Sequence, residues 1–437
     1  MFVSHIAWPQ DEPDWKKLEA YYKLLEENNK FMGGVAIYKG EKRLFEYYAG
    51  FSSVEKSKRA NYQTRYRIGS VTELFTAALV FQLIEEGQLT LDTKLSDYYP
   101  EITNSNKITI SNLLNHRSGL HNYTSDDTYL NQMNKSWRKN ELMWLITDFP
   151  IDFEPNEKAC YSNTNYLLLG FIIEHITEES YSKLVEKHIS KPNMMMGTRY
   201  GGVINTSMYG AHSYVFQNKQ WEQMNQTDIS LARGAGGLIS TPRDLNVFAQ
   251  LLFQNRIVNE VSLDSMLSFQ DGYGRGVFEY TLDDEIAWGH NGSIDGFQSH
   301  VSYFPADSIS ISVLGNGMNC TLNEVITTAL NALCRKAYKL PKFGSRIVEV
   351  SMEVLSKLEG NYYSDSYPER ISLVIKDNKL YAQTSGYKAY PLTAYENGSF
   401  RFEPVGIEIQ FKAGVYSLVF DEFVLKQRGA EFKFIKE

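Results

Sequence analysis

Three short stretches of the chain hold side chains of the kind that nucleophilic and acid–base chemistry uses. Ser70-Val71-Thr72-Glu73 opens a helical pattern, Tyr161-Ser162-Asn163 opens another, and His290-Asn291-Gly292-Ser293 lies in an alternating, strand-like run. A hydroxyl, a phenol, an imidazole and a carboxylate brought together could activate a serine for attack on a carbonyl carbon. Each stretch also has a plain structural explanation. Ser70 with Glu73 reads locally as a capping box, in which the serine caps the first turn and the glutamate bonds back to it. Asn163 suits an N-cap, Tyr161 a packed aromatic, and Asn291-Gly292 a turn. One stretch alone decides nothing.

The elements that must position these groups are legible in the periodicity. Residues 15–29 pattern as an amphipathic helix and feed two strand-like runs around a Lys-Gly turn at Gly40. After Ser70 a helix is predicted in which Leu74, Ala78 and Leu79 mark an apolar face and Gly87 supplies the stop. Further helices are predicted near Thr109 and from Asn163, the latter holding the apolar run Tyr166–Ile173. From about Gly272 the pattern changes to alternating strands, closed by a helical run over 323–338. Strands at both ends with helices between them predict a mixed α/β (α+β) fold: an antiparallel sheet assembled from the two ends, flanked by helices, with a helical subdomain inserted. Residues 339–350 carry Pro, Gly and basic residues and read as a linker. Beyond Met352 short strands recur, with Asp377-Asn378 and Glu396-Asn397-Gly398 as turn signals, so a small all-β domain is expected. The boundaries drawn from this are 1–345 and 346–437.

Composition narrows the classes of function. A chain of 437 residues with 43% hydrophobic and 22% charged residues is long enough for two globular domains. Its formal charge of −8, with no Lys/Arg-rich run, argues against a nucleic-acid partner. The run Tyr166–Ile173 is the longest apolar stretch and falls short of the roughly 18–20 residues of a membrane span, so none is expected. No basic then apolar leader is visible at the N-terminus. Three cysteines without CxxC spacing and eight scattered histidines give no disulfide framework, and neither a metal nor another cofactor is expected. Cys160 reads as a small buried residue, and His116 and His121 as structural residues of a loop.

Taken in order with their flanks, the three stretches resemble the serine β-lactamase and penicillin-binding-protein superfamily. The similarity is to the class C-like branch, which includes D-alanyl-D-alanine carboxypeptidases, D-aminopeptidases and esterases. It covers about residues 15–340 and extends to Gly87–Glu101, Ile108–Leu120, Tyr161–Thr177 and Gly234–Leu252. The tail is similar to the lipocalin-like C-terminal domains of some members. The resemblance implies a serine hydrolase that forms an acyl-enzyme with a small-molecule or peptide substrate, of the D-amino-acid peptide, β-lactam or small ester class. It also implies a periplasmic or extracytoplasmic location. Carried over position by position, Ser70 matches the acylated nucleophile at a helix N-terminus. Its N–H and that of Ser293, after His290, Asn291 and Gly292, match the oxyanion donors. Tyr161 matches the proton-relaying tyrosine, Asn163 the residue that bonds the substrate amide, and His290 the lysine or histidine of the strand lining the cleft.

Residue 73 departs from the family pattern, S-x-x-K. Glu73 keeps the i, i+3 placement on the face of Ser70 but reverses the charge. A carboxylate raises the cost of forming an alkoxide or phenolate beside it, and with a reference pKa of about 4.3 it is a weak base unless burial raises it. Three readings of Glu73 follow: a substitution introduced into an active hydrolase, a binding protein that keeps the cleft without efficient turnover, or a glutamate that serves as the base itself.

Overall fold

The computed structural model describes residues 13–282, 285–341, 343, 347–367, 369–384, 389–395, 398–411, 421–427 and 430–437. The reading of the extreme N-terminus, the Glu396-Asn397 turn and part of the strand signal after Phe411 lie outside them. The chain divides into two compact units, Met1–Met318 and Asn319–Glu437.

In the first unit, α1 (Trp15–Glu27) buries Leu18, Tyr21, Tyr22 and Leu25, the i, i+3, i+4, i+7 stripe of an amphipathic helix, and Asp14 caps it by accepting the Lys17 N–H at 3.0 Å. The hairpin β1 (Phe31–Lys39) and β2 (Lys42–Ala49) turns at Gly40, whose φ of +54° glycine adopts without strain. Then come α2 (Thr72–Glu85), α3 (Ile110–Leu114), α4 (Asn163–Thr177), α5 (Ile229–Gly236) and α6 (Pro242–Phe253). The strands β3 (Phe278–Leu282), β4 (Glu285–Ile294), β5 (Phe297–Phe304) and β6 (Ile309–Met318) complete the unit. The main path of the eight-stranded sheet runs β3-β4-β5-β6-β1-β2 with antiparallel neighbours, so the first strand of the chain pairs with the last of the unit (Val35 opposite Val313), while strand Tyr214–Gln217 joins β6 in parallel. This is the sheet built from both ends that the sequence pattern predicts.

Helix α2 differs from its sequence reading in one respect. It buries Leu74, Phe75, Ala77, Ala78, Leu79, Val80 and Phe81, which is most of its circumference and not one apolar face. It is the central helix, enclosed by the others, and Phe75 stacks on Phe248 of α6 with ring centroids 3.7 Å apart. Tyr166–Ile173 of α4 is buried throughout, as its composition predicts. No described helix is long and apolar enough to cross a membrane.

The second unit holds a helix, Leu322–Leu333, with a capping box between Thr321 and Glu324, and a nine-stranded antiparallel sheet. Asp377 and Asn378 both have positive φ (49° and 58°) between strands Ile371–Lys376 and Lys379–Thr384, which is the hairpin turn their types signal. The two edge strands of the sheet, Tyr390–Pro391 and Thr393–Ala394, are consecutive in the chain. The sheet therefore curls into a nearly closed, barrel-like domain around Leu373, Ile409, Phe423 and Phe434. The last strand, Ala430–Lys436, adds one more alternating run to this unit.

Replacing Phe75 by Ala removes a ring from a site that cannot collapse around it, because both α2 and α6 are packed on other faces. The expected cost is about 3–5 kcal/mol, read from urea unfolding followed by circular dichroism.

Candidate active site

The start of α2 is not a capping box. Gly69–Val71 form a 3-10 turn that runs into the helix, the N-cap position is Val71, and no side chain caps it. The Ser70 hydroxyl is consequently free of the backbone and lies 2.7 Å from the Tyr161 hydroxyl. Two glycines make this placement possible. Gly69 has a φ of +48°, and a Cβ on it would meet Ser293 N at 2.8 Å; a Cβ on Gly292 would meet Ile68 O at 2.1 Å and Ser70 N at 3.0 Å. Strand β4 thus lies directly against the helix start, with the backbone N–H groups of Ser70 and Ser293 at its closest approach.

A buried ion pair fixes that approach. Arg67, three residues before Ser70, reaches Asp295, two residues after Ser293, at 2.6 Å, with side-chain exposures of 2% and 0%. The other Asp295 oxygen accepts the Thr227 N–H at 3.0 Å and its hydroxyl at 2.6 Å. Ser299 on β5 donates to Ile68 O at 2.6 Å and ties down the same turn.

Glu73 is wholly buried beneath Ser70. Its Oε1 lies 2.5 Å from the Tyr161 hydroxyl, and its Oε2 lies 3.4 Å from Nε2 of His116 and 3.4 Å from Nε2 of His290. The imidazole contacts are longer than an ordinary N–H···O bond and act mainly as charge and dipole contacts, since Oε2 has no hydrogen bond of full geometry. Burial by itself pushes the Glu73 pKa up, but the two histidines outweigh it and hold the group below the usual glutamate value. Glu73 is a carboxylate, and as such it only accepts hydrogen bonds. The single phenolic proton of Tyr161 therefore goes to Glu73, and the Ser70 hydroxyl donates to the Tyr161 oxygen. Burial first, then the Glu73 charge and hydrogen bond, hold Tyr161 well above the ordinary tyrosine range, so it is a phenol and not a phenolate.

The remaining candidates divide. Asn163 is the first residue of α4 and not its cap; its amide nitrogen bonds Thr124 Oγ1 at 2.9 Å and Asn122 Oδ1 at 3.3 Å, and its Oδ1 lies 3.2 Å from the Tyr161 hydroxyl. Ser70, Asn163 and Ser293 line one cleft of about 160 Å³, with Tyr123, Tyr129 and Met133 as an apolar wall. His290, expected on the cleft surface, is 2% exposed and lies behind Ser70. Asn291 is not among the lining residues, and its Oδ1 instead lies 2.6 Å from Nδ1 of His300. Gly292 serves the close approach of the two backbones. Cys160, expected to be buried, is exposed.

His116 is the residue that sequence reasoning missed. No partner stands near it in sequence, which suggests a structural residue, yet the fold brings it from the loop after α3 onto Glu73 of α2. The only signal available was Glu73 itself, since a carboxylate buried on an apolar helix requires a compensating group from elsewhere. His121 does behave as a loop residue, with its Nδ1 2.9 Å from Asp152. Among the described residues no cluster of His, Cys, Asp and Glu is arranged to hold a metal ion.

The family described as Beta-lactamase matches residues 23–332. The chain belongs to this beta-lactamase family. A teichoic acid D-alanine hydrolase of Staphylococcus aureus is 28% identical over 253 residues, 57% of this chain and 61% of that protein. The chain spans 56–61% of the length of the curated relatives it matches. Among solved structures, a D-stereospecific amidohydrolase from Streptomyces sp. superposes with a TM-score of 0.64 at 27% identity, covering 74% of this chain and 100% of that one. An octameric penicillin-binding protein homologue from Pyrococcus abyssi gives a TM-score of 0.67 at 21% identity over 97% of this chain and 100% of that one, so the likeness in fold reaches both units.

Replacing Asp295 by Ala leaves the Arg67 guanidinium buried without its partner. A loss of about 3–5 kcal/mol in stability is expected from denaturant titration, because an uncompensated buried charge remains.

Proposed function

We propose that the chain is a serine hydrolase that is acylated on Ser70 by an amide or ester and releases the acyl group to water. One observation carries the reading: an unbroken hydrogen-bonded line from the Ser70 hydroxyl through Tyr161 to the Glu73 carboxylate, 2.7 and 2.5 Å in its two links. As Ser70 attacks a carbonyl carbon, its proton passes to the Tyr161 oxygen while the phenolic proton passes to Glu73 Oε1. The new O–C bond forms, the carbonyl π electrons move onto its oxygen, and the N–H groups of Ser70 and Ser293 receive that oxyanion. Collapse returns a proton through Tyr161 to the leaving nitrogen or oxygen, and water repeats the sequence on the acyl-enzyme.

The cleft supports an acyl group that is small and apolar or aromatic, set against Tyr123, Tyr129 and Met133, with Asn163 placed to bond its amide. Among the described lining residues none is Lys, Arg or His, which favours an amide or ester over a substrate with a free carboxylate beside the scissile bond. The similarity to a teichoic acid D-alanine hydrolase and to a D-stereospecific amidohydrolase supports a D-amino-acid acyl group. The proposed hydrolase domain is residues 1–345, and residues 346–437 form the proposed lipocalin-like β domain.

A second reading, a non-catalytic binding protein that retains the cleft, is favoured by the same pair of groups. Tyr161 is held above its ordinary range and Glu73 below its own, so moving a proton from serine toward them is uphill.

Intact-mass spectrometry after exposure to a fluorophosphonate and to a penicillin separates the two. The expected outcome is one fluorophosphonate adduct on this chain, none on Ser70→Ala, and labelling slowed about 100-fold or more in Glu73→Gln. An adduct confined to a Glu73→Lys variant would instead mean a hydrolase disabled at residue 73, and no adduct on either chain would favour the binding protein.

A further inference from the structure

We propose that His116 is a positioning residue of this site, whose Nε2–H holds Glu73 Oε2 so that Oε1 stays turned toward Tyr161. The inference rests on the hydrolase reading above and deepens it. His116 belongs neither to the nucleophile helix nor to the strand that carries His290, and it meets the carboxylate from a third side.

The backbone around each ring decides what each histidine can do. Nδ1 of His116 lies 3.2 Å from the Ser162 backbone N–H and 3.3 Å from the Asn165 side-chain amide nitrogen. A backbone N–H can only donate, so Nδ1 of His116 is the acceptor and the ring proton sits on Nε2, facing Glu73. His290 is the reverse. Its Nδ1 lies 2.6 Å from the Asn291 carbonyl oxygen, which can only accept, so the ring proton sits on Nδ1. The contact of His290 Nε2 with Oε2 is attractive only with a second proton on the ring, whereas His116 offers Glu73 an N–H without one. His290 helps to lower Glu73 only while it carries both protons; with one proton each, the two rings keep it on opposite nitrogens and His116 is the one that faces Glu73 with an N–H. The same tautomer turns a proton, not a lone pair, toward the cluster, which is unsuited to a metal ion held on Nε2.

Ring packing keeps the imidazole in place. His116 is 2% exposed, adopts a φ of +56°, and contacts the rings of Tyr161, Tyr166 and Tyr273 with centroids 4.5, 5.2 and 5.4 Å away. The other titratable groups that face Glu73 are hydroxyls. Tyr161, Tyr166, Tyr123, Tyr181 and Tyr273 are all raised above the ordinary tyrosine value, by burial first, and stay protonated. Arg275 is committed to Ser111 Oγ at 3.1 Å and Ser265 O at 2.6 Å. On the far side of His290, His300 is pushed down to about 3 by burial and then by His290, and is neutral.

The sign of the pH effect follows. Glu73 must be ionised to accept the Tyr161 proton, and the histidine contacts lower its pKa against the upward push of burial. Removing the His116 contact raises it, so the acidic limb of the labelling rate must move to higher pH.

Two measurements on the full chain test this. The first needs no activity: long-range proton–nitrogen spectra of protein labelled with nitrogen-15 in its histidines. His116 is expected to show a bare Nδ1 and a protonated Nε2, and a proton on Nδ1 with a bare Nε2 overturns the proposal. The second is the rate of fluorophosphonate labelling of Ser70 against pH in the chain, in His116→Phe and in His116→Gln, whose amide N–H reaches the place of Nε2. We expect His116→Phe to label 10- to 100-fold more slowly with its acidic limb shifted upward by about one pH unit, and His116→Gln to restore both. A slower His116→Phe whose limb stays where the unaltered chain has it would mean that His116 only supports the fold. If the unaltered chain is not labelled at all, the hydrolase reading fails, and the tautomer spectrum still decides whether His116 presents its proton to Glu73.

Discussion

A carboxylate enclosed by apolar helix is the constraint to which the centre of the first unit answers. Glu73 lies on the inner face of α2 among Leu74, Ala77 and Ala78, where an isolated charge would cost several kcal/mol. It is tolerated because three separate segments each bring a group to it: the loop after α3 brings His116, the start of α4 brings Tyr161, and β4 brings His290. No two of these are neighbours in sequence. The carboxylate thereby joins the helical insertion to the sheet, and the same contacts that make it tolerable fix which of its oxygens faces Ser70.

The geometry around Ser70 depends on that arrangement and on two close backbone contacts. A serine that capped α2 would have its hydroxyl committed to the helix N–H groups. The 3-10 turn at Gly69–Val71 and the positive φ of Gly69 remove it from that position. Gly292 then lets β4 approach until its backbone meets the turn, and the Arg67–Asp295 pair locks the two together from either side. Among the described residues the hydroxyl has Tyr161 as its hydrogen-bond partner, and Tyr161 is oriented from behind by Glu73.

The architecture was legible from the sequence because local signals carry it. The stripe of α1, the turn at Gly40, the buried run of α4 and the Asp377-Asn378 turn each state a conformation through residue types a few positions apart. The candidate site was legible as a set of residues through its likeness to a family, which named Ser70, Tyr161, Asn163 and His290 in order. What local reading assigned wrongly was conformation at the site itself: Ser70 with Glu73 fits a capping box, and Asn163 fits an N-cap, yet neither side chain caps its helix. Tertiary hydrogen bonds to Tyr161 and to Thr124 outcompete a cap worth about 1 kcal/mol. His116 could not be found this way at all, because its partner is supplied by the fold and not by spacing.

The reversed charge at residue 73 is consistent with its surroundings. A lysine in its place would meet the Nε2–H of His116 donor against donor, and would have to turn to the His290 ring or the Tyr161 oxygen for an acceptor. A carboxylate meets the Nε2–H of His116 in a favourable dipole contact at 3.4 Å and accepts the phenolic proton of Tyr161, so both groups face it with a proton. On the hydrolase reading this changes where the proton begins and ends, not which atoms form the line. The tyrosine starts protonated and the proton finishes on the glutamate, so the barrier is set by how far the oxyanion donors of Ser70 and Ser293 lower the energy of the attacked carbonyl. A site built this way relies more on stabilising the tetrahedral state than on a strong base, and the rigid junction of α2 with β4 is what that demands.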